Sequence, residues 1–145
     1  MAANTAPIYS IKGSVQSDNS TGMAPTLTTA AADYTGATAT NNKQVWAADA
    51  TNGGFIQKIR FKAIGTNTAS VGRIFINNGS ANTTATNNTF IGEVSLPATT
   101  ATNTAATADI DYPMNMALPA GFKIYVGLAT TVAAGWTVTG IGGSY

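Results

Sequence analysis

The chain has no cysteine and no histidine, and charged side chains make up only 9 % of its 145 residues. Without cysteine there is no disulfide framework and no thiol switch. Without either residue, zinc, haem and iron–sulfur ligation through those side chains is excluded. So is every nucleophile scheme that rests on a cysteine or a histidine base. Seven basic side chains against six acidic ones leave a net charge of +1. That balance argues against a polyelectrolyte tail and against strong nucleic-acid binding. No window approaches the roughly 18 apolar residues of a membrane span. The N-terminus, MAANTAPIYSIK, has neither a basic leader nor the apolar run of a secretory signal. The expectation is a soluble protein made in a cytoplasm, with no membrane partner.

What the chain has instead is small side chains. Ala (26), Thr (24), Gly (15) and Asn (13) together supply 78 of the 145 residues. A chain of this length is one domain by prior, and it buries roughly two-thirds of its unfolded surface on folding. We therefore expect a single domain over 1–145, with residues 1–9 as an extended N-terminal arm.

The hydrophobic period is two almost throughout. Over residues 55–64, Phe55, Ile59, Phe61 and Ala63 share one face and Lys58, Arg60 and Lys62 the other, with Gln57 as the exception. Over 71–77 both faces are apolar, as in a strand covered on two sides. Residues 90–96 and 122–128 alternate cleanly, and Trp136 and Val138 share a face. Weaker candidates lie at 8–15, 26–31, 44–48 and 108–112. Ala favours helix, but here it is interleaved with Thr, Asn and Gly, which do not. Turn chemistry separates the strands: Asn52-Gly53-Gly54, Asn77-Asn78-Gly79, Pro119-Ala-Gly121 and Ala133-Ala-Gly135. Eight to nine short strands at this spacing predict an all-β fold, an antiparallel β-sandwich. Three tracts of low complexity, 28–42, 78–89 and 98–108, are flanked by strands. They read as surface loops or edge segments ordered by contacts rather than as linkers.

Few residues offer chemistry. Lys58, Arg60 and Lys62 form the most concentrated charge, either a strip for a protein partner or an outward strand face kept from stray pairing. Three cations without interleaved exposed aromatics make a poor nucleic-acid footprint. Asp109 and Asp111 lie two apart and point to one side of a strand, either as a shared cation or acid–base pair or as a solvated face. They lack the rest of a calcium loop and the apolar pocket that a glycosidase acid needs. Gly140-Ile-Gly142-Gly143 is no phosphate loop, since no lysine follows. Its glycines suit a close approach to another backbone. Trp46 and Trp136 are either core or aromatic anchors at an interface. Ile8, Tyr9 and the terminal Tyr145 complete the candidate interface residues. No metal and no cofactor is expected.

The stretch Phe55-Ile-Gln-Lys-Ile-Arg-Phe-Lys-Ala-Ile-Gly with Arg73-Ile-Phe-Ile-Asn-Asn-Gly resembles small virion proteins of tailed bacteriophages. So does Leu118-Pro-Ala-Gly-Phe-Lys-Ile-Tyr-Val-Gly-Leu-Ala followed by Ala134-Gly-Trp-Thr-Val-Thr-Gly. The resemblance covers roughly residues 55–145 and rests on strand style and turn placement. It implies a jelly-roll sandwich serving as a capsid decoration (cement) protein. Its partners would be the major capsid protein and further copies of itself, as a homotrimer on the capsid exterior. Related jelly rolls serve in tails and fibres. A carbohydrate-binding or receptor-binding sandwich is the rival reading, and it requires an exposed Trp or Tyr beside clustered Asn and Asp. A hydrolase requires two convergent carboxylates in an apolar cleft.

Overall fold

A computed structural model describes residues 12–16, 24–38 and 40–145, the first of these as backbone alone. The strands are β1 (Lys12–Gln16), β2 (Thr26–Leu27), β3 (Lys43–Ala47), β4 (Gly54–Ala63), β5 (Ser70–Asn77), β6 (Asn88–Leu96), β7 (Asp109–Leu118), β8 (Lys123–Leu128) and β9 (Trp136–Ser144). Among the described residues, the single helical element is one 3-10 turn, Ala85–Asn87. The strands form two antiparallel sheets. One runs β1-β9-β4-β7, with β2 also on β9; the other runs β3-β8-β5-β6. From β3 onward, every connection except the β5–β6 hairpin crosses from one sheet to the other. This is the jelly-roll order, so the expected sandwich is found, with nine strands.

The strand candidates are found with shifted bounds. Of 8–15, the described part is β1; the residues before Lys12 lie outside the described residues. The candidate at 108–112 continues to Leu118 through Pro113. Its missing N–H is tolerated because β7 is an edge strand with a neighbour on one side only.

In β4 the alternation is reset. Its register shifts between Ile56 and Lys58 with both neighbours: against β9 the extra residue is Gln57 on β4, a β-bulge, and against β7 it lies on β7 between Pro113 and Met116. Gly54 and Ile56 face the core before the bulge, and Ile59, Phe61 and Ala63 face it afterwards. Phe55, expected on the core face, is only partly buried, and Ile56 takes its place.

The core is built from large rings set over glycines. A Cβ at Gly140 would lie 2.7 Å from both Trp46 Cβ and the Val45 carbonyl oxygen, and one at Gly54 would lie 2.8 Å from the Trp46 ring. A Cβ at Gly72 would lie 2.7 Å from the Phe61 ring, and Gly92 leaves room for the Tyr112 hydroxyl in the same way. Gly142 faces the Phe55 carbonyl oxygen. The glycines near the C-terminus thus permit a close backbone approach, as their composition suggests, but inside strand β9. Trp46, Trp136, Phe61 and Phe75 are fully buried. Packing at interior density leaves such sockets no spare volume.

One end of the sandwich is closed by a polar side chain. Asn67 lies between β4 and β5 and is buried. Its Nδ2 donates to the Gly65 carbonyl, to Thr99 Oγ1 and to the Gly135 carbonyl at 3.0–3.3 Å. Its Oδ1 accepts from the backbone N–H groups of Ala134 and Gly135 at 2.9 and 2.7 Å. Asn67 and Thr99 also exchange backbone hydrogen bonds at 3.0 and 2.9 Å. Three connections that change sheets, β4–β5, β6–β7 and β8–β9, therefore meet at one residue. The tract 98–108 is held here and by Lys62 and Thr107, whose side chains bond the Thr107 and Ala63 carbonyls at 2.7 and 2.6 Å.

Because Trp46 and the Val45 carbonyl leave no room at position 140, Gly140→Ala is expected to destabilise the fold by about 1–3 kcal/mol, the usual cost of overpacking. Chemical denaturation against a surface control such as Ser95→Ala measures it.

Candidate functional site

The two outer faces of the sandwich differ. On the β1-β9-β4-β7 sheet, the even positions of β4 after the bulge point outward. The register sets Arg60 opposite Asp111 and Lys62 opposite Asp109. Asp111 is the common acceptor. Lys58 Nζ reaches its Oδ2 at 2.7 Å, and Arg60 forks onto it through Nε at 2.7 Å and Nη2 at 2.9 Å. Lys62 lies 3.9 Å from Asp109. The candidate basic strip and the candidate carboxylate pair are thus one cross-strand network. The hydrogen bonds from Arg60 and Lys58 hold the Asp111 carboxyl far below the ordinary carboxylate range, and the Arg60 guanidinium is raised in turn. A carboxyl held this low stays ionised, the opposite of what a general acid requires. Within the chain, these charges stitch edge strand β7 to β4.

On the β3-β8-β5-β6 sheet, the outer face is covered. Residues 28–38 and 40–42 cross it as a strap, which supplies the second cover expected from the two apolar faces of 71–77. Ala31 N–H bonds the Leu128 carbonyl at 2.7 Å, and Gly36 packs on the Phe75 ring. Asn42 is buried against Gly127, in the same cross-sheet row as Arg73. Arg73 Nη1 donates to the Ala32 carbonyl at 2.6 Å, and its guanidinium lies 3.9 Å under the Tyr34 ring. Tyr34 meets Phe90 edge to face at 5.3 Å, and Phe90 meets Phe75 at 5.6 Å.

Asp33 shapes the strap's turn. It accepts from the Thr35 and Gly36 N–H groups and the Thr35 hydroxyl at 2.9 Å, and from the Thr38 hydroxyl. Burial pushes the Asp33 carboxyl up, but these hydrogen bonds outweigh it and hold it below its ordinary value.

Between the sheets, at the β2–β3 side, four threonines (Thr26, Thr28, Thr29, Thr40) line an open cavity of about 210 Å³ with Leu27, Asn41 and Lys43. Its walls offer hydroxyls and one ammonium.

Trp46 and Trp136 correct the aromatic-anchor reading. Both indoles are 0 % exposed, because the sandwich encloses them, Trp46 over Gly54 and Gly140, so neither can contact a partner in this fold. Tyr145 is half-buried, and its N–H donates to the Gly53 carbonyl at 3.3 Å. Ile8 and Tyr9 lie outside the described residues. Among the described residues the exposed aromatics are Tyr34 and Phe90 instead, neither of which was singled out from the sequence. Tyr34 sits inside a low-complexity tract, and Phe90 reads as an ordinary strand residue. Only the β5–β6 pairing and the strap bring them together.

Neither family models, nor curated proteins, nor solved structures give a match to this chain.

The Asp111 network predicts a specific acid response. A carboxyl lowered on folding stabilises the native state above the ordinary carboxylate range and loses that contribution as pH falls below about 4. The pair is more than a third exposed, so Asp111→Asn is expected to cost no more than about 1 kcal/mol at neutral pH. The deficit relative to wild type should shrink as pH falls from about 5 to 2, because Asp111 then protonates in the unfolded chain while the folded carboxyl stays ionised. Urea denaturation of both proteins across that range measures it.

Proposed function

We propose that this chain is a non-enzymatic structural protein of a tailed-phage virion, a decoration protein that binds and reinforces the major capsid lattice, as a homotrimer on the capsid exterior. The likeness of residues 55–145 to such proteins first suggests it. The observation that carries it furthest is how the chain holds its own surface. Long tracts of Ala, Thr and Asn are fixed by intramolecular hydrogen bonds, at Asn67, Asp33 and Lys62. The strongest charges on the outer face of β4 are spent within the chain. Small side chains lose little rotamer entropy when a partner covers them. A surface already ordered and nearly neutral suits packing against a repeating shell, where weak contacts gain strength from multiplicity. The jelly-roll order is compatible with this role but is shared by many unrelated functions.

Mass spectrometry of purified virions, with copy number, tests the reading. A copy number that follows the capsid lattice is the expected result, together with co-sedimentation with assembled shells but not with free capsid subunits. A few copies per particle would move the protein to the tail or fibre. Absence from the virion and failure to bind expanded shells would end the proposal.

A further inference from the structure

The strap side of the molecule carries a second, smaller feature that is independent of the capsid reading. Three large apolar side chains are exposed among the described residues, Tyr34, Ile64 and Phe90. Two of them, Tyr34 at 56 % and Phe90 at 38 %, touch each other at 89° and form a two-walled corner.

Both walls are held before any ligand arrives. Tyr34 rests on the Arg73 guanidinium, which is tied to the carbonyl of Ala32 in the same strap. Phe90 rests on the fully buried Phe75. Beside them, Glu93 Oε2 stands 3.8 Å from Arg73 Nε, too far for a hydrogen bond, and the Glu93 side chain is 48 % exposed. The corner therefore offers fixed aromatic surface next to a carboxylate with free acceptor capacity.

The chemistry narrows what fits. A cationic ligand over Tyr34 is disfavoured by the Arg73 charge beneath the ring. A phosphate-bearing ligand such as a nucleotide brings anions toward Glu93. A protein partner needs far more contact: two rings exposing about half of their roughly 200 Å² each fall well short of the ~800 Å² per partner of a stable interface. A neutral ring with an apolar C–H face and a rim of hydroxyls meets every condition. The C–H face covers the aromatic corner, and the hydroxyls donate to Glu93.

We propose that Tyr34, Phe90 and Glu93 form a binding site for a neutral pyranose sugar. Because the rings are pre-positioned, little ordering opposes binding.

The test uses the isotopically labelled full chain, titrated with glucose, galactose and N-acetylglucosamine at millimolar concentration and followed by amide chemical shifts, alongside a glycan array. Shifts centred on Tyr34, Phe90 and Glu93 are expected for at least one sugar. Tyr34→Ala should weaken binding by about tenfold or more, and Tyr34→Phe should keep most of it. Glu93→Gln, at an exposed side chain, should also weaken binding and serves if Tyr34→Ala does not fold. No shifts and no array signal would overturn the proposal. So would sugar binding that Glu93→Gln and Tyr34→Ala leave unchanged, or shifts that appear only with assembled capsid shells.

Discussion

Asn67 is the point on which the rest of this sandwich depends. Three of the connections that cross between the sheets pass through its hydrogen-bond sphere, and its amide serves Gly65, Thr99, Ala134 and Gly135 at once. A buried amide is costly unless satisfied, and a satisfied one fixes its neighbours in one arrangement. Here that arrangement sets the relative position of both sheets at one end. It also turns stretches of Ala and Thr with little apolar surface of their own into ordered backbone. At the opposite end Asp49 has a comparable role for the β3–β4 turn, accepting from the N–H groups of Thr51 and Asn52 at 2.9 Å.

The composition follows from these two needs. Rings fill the core, and glycines on facing strands make the space for them: Trp46 over Gly140 and Gly54, Phe61 over Gly72, Tyr112 over Gly92. Outside the core, charge is scarce and largely consumed by cross-strand pairing on one face and by the strap on the other. The outer surface formed by the described residues is thus held by contacts within the chain itself. That property underlies both the capsid-binding proposal and the small ligand corner at Tyr34. A surface of this kind loses little entropy on being covered, and an aromatic corner of this kind needs little rearrangement to bind.

Much of the fold was legible in the sequence. Period-two alternation located β4, β5, β6, β8 and β9, and the apolar outer face of 71–77 announced a second cover. The reasons for the misses are specific. The Gln57 bulge inserts a residue that alternation cannot anticipate, and it moved Ile56 into the place expected for Phe55. Pro113 masks the second half of β7 because sequence alone does not say which strand will be an edge. The basic strip and the Asp pair were each visible, but their union depends on the β4–β7 register. Trp46 and Trp136 carry no mark that separates core from interface until the two sheets are seen to enclose them both. Asn67 is one of thirteen asparagines; nothing in its local sequence distinguishes the one whose amide is buried among three loops.

The claim that the long small-residue tracts are part of the fold, pinned by one buried amide, is tested most directly by Asn67→Ala, read by denaturant stability together with hydrogen exchange. Removing the side chain leaves buried N–H and C=O groups without partners, at about 1–3 kcal/mol each before relaxation. The account predicts a stability loss of at least about 2 kcal/mol and faster exchange at Ala134 and Gly135. A loss below about 0.5 kcal/mol, the range of an ordinary surface substitution, with exchange unchanged at those two amides, would contradict it.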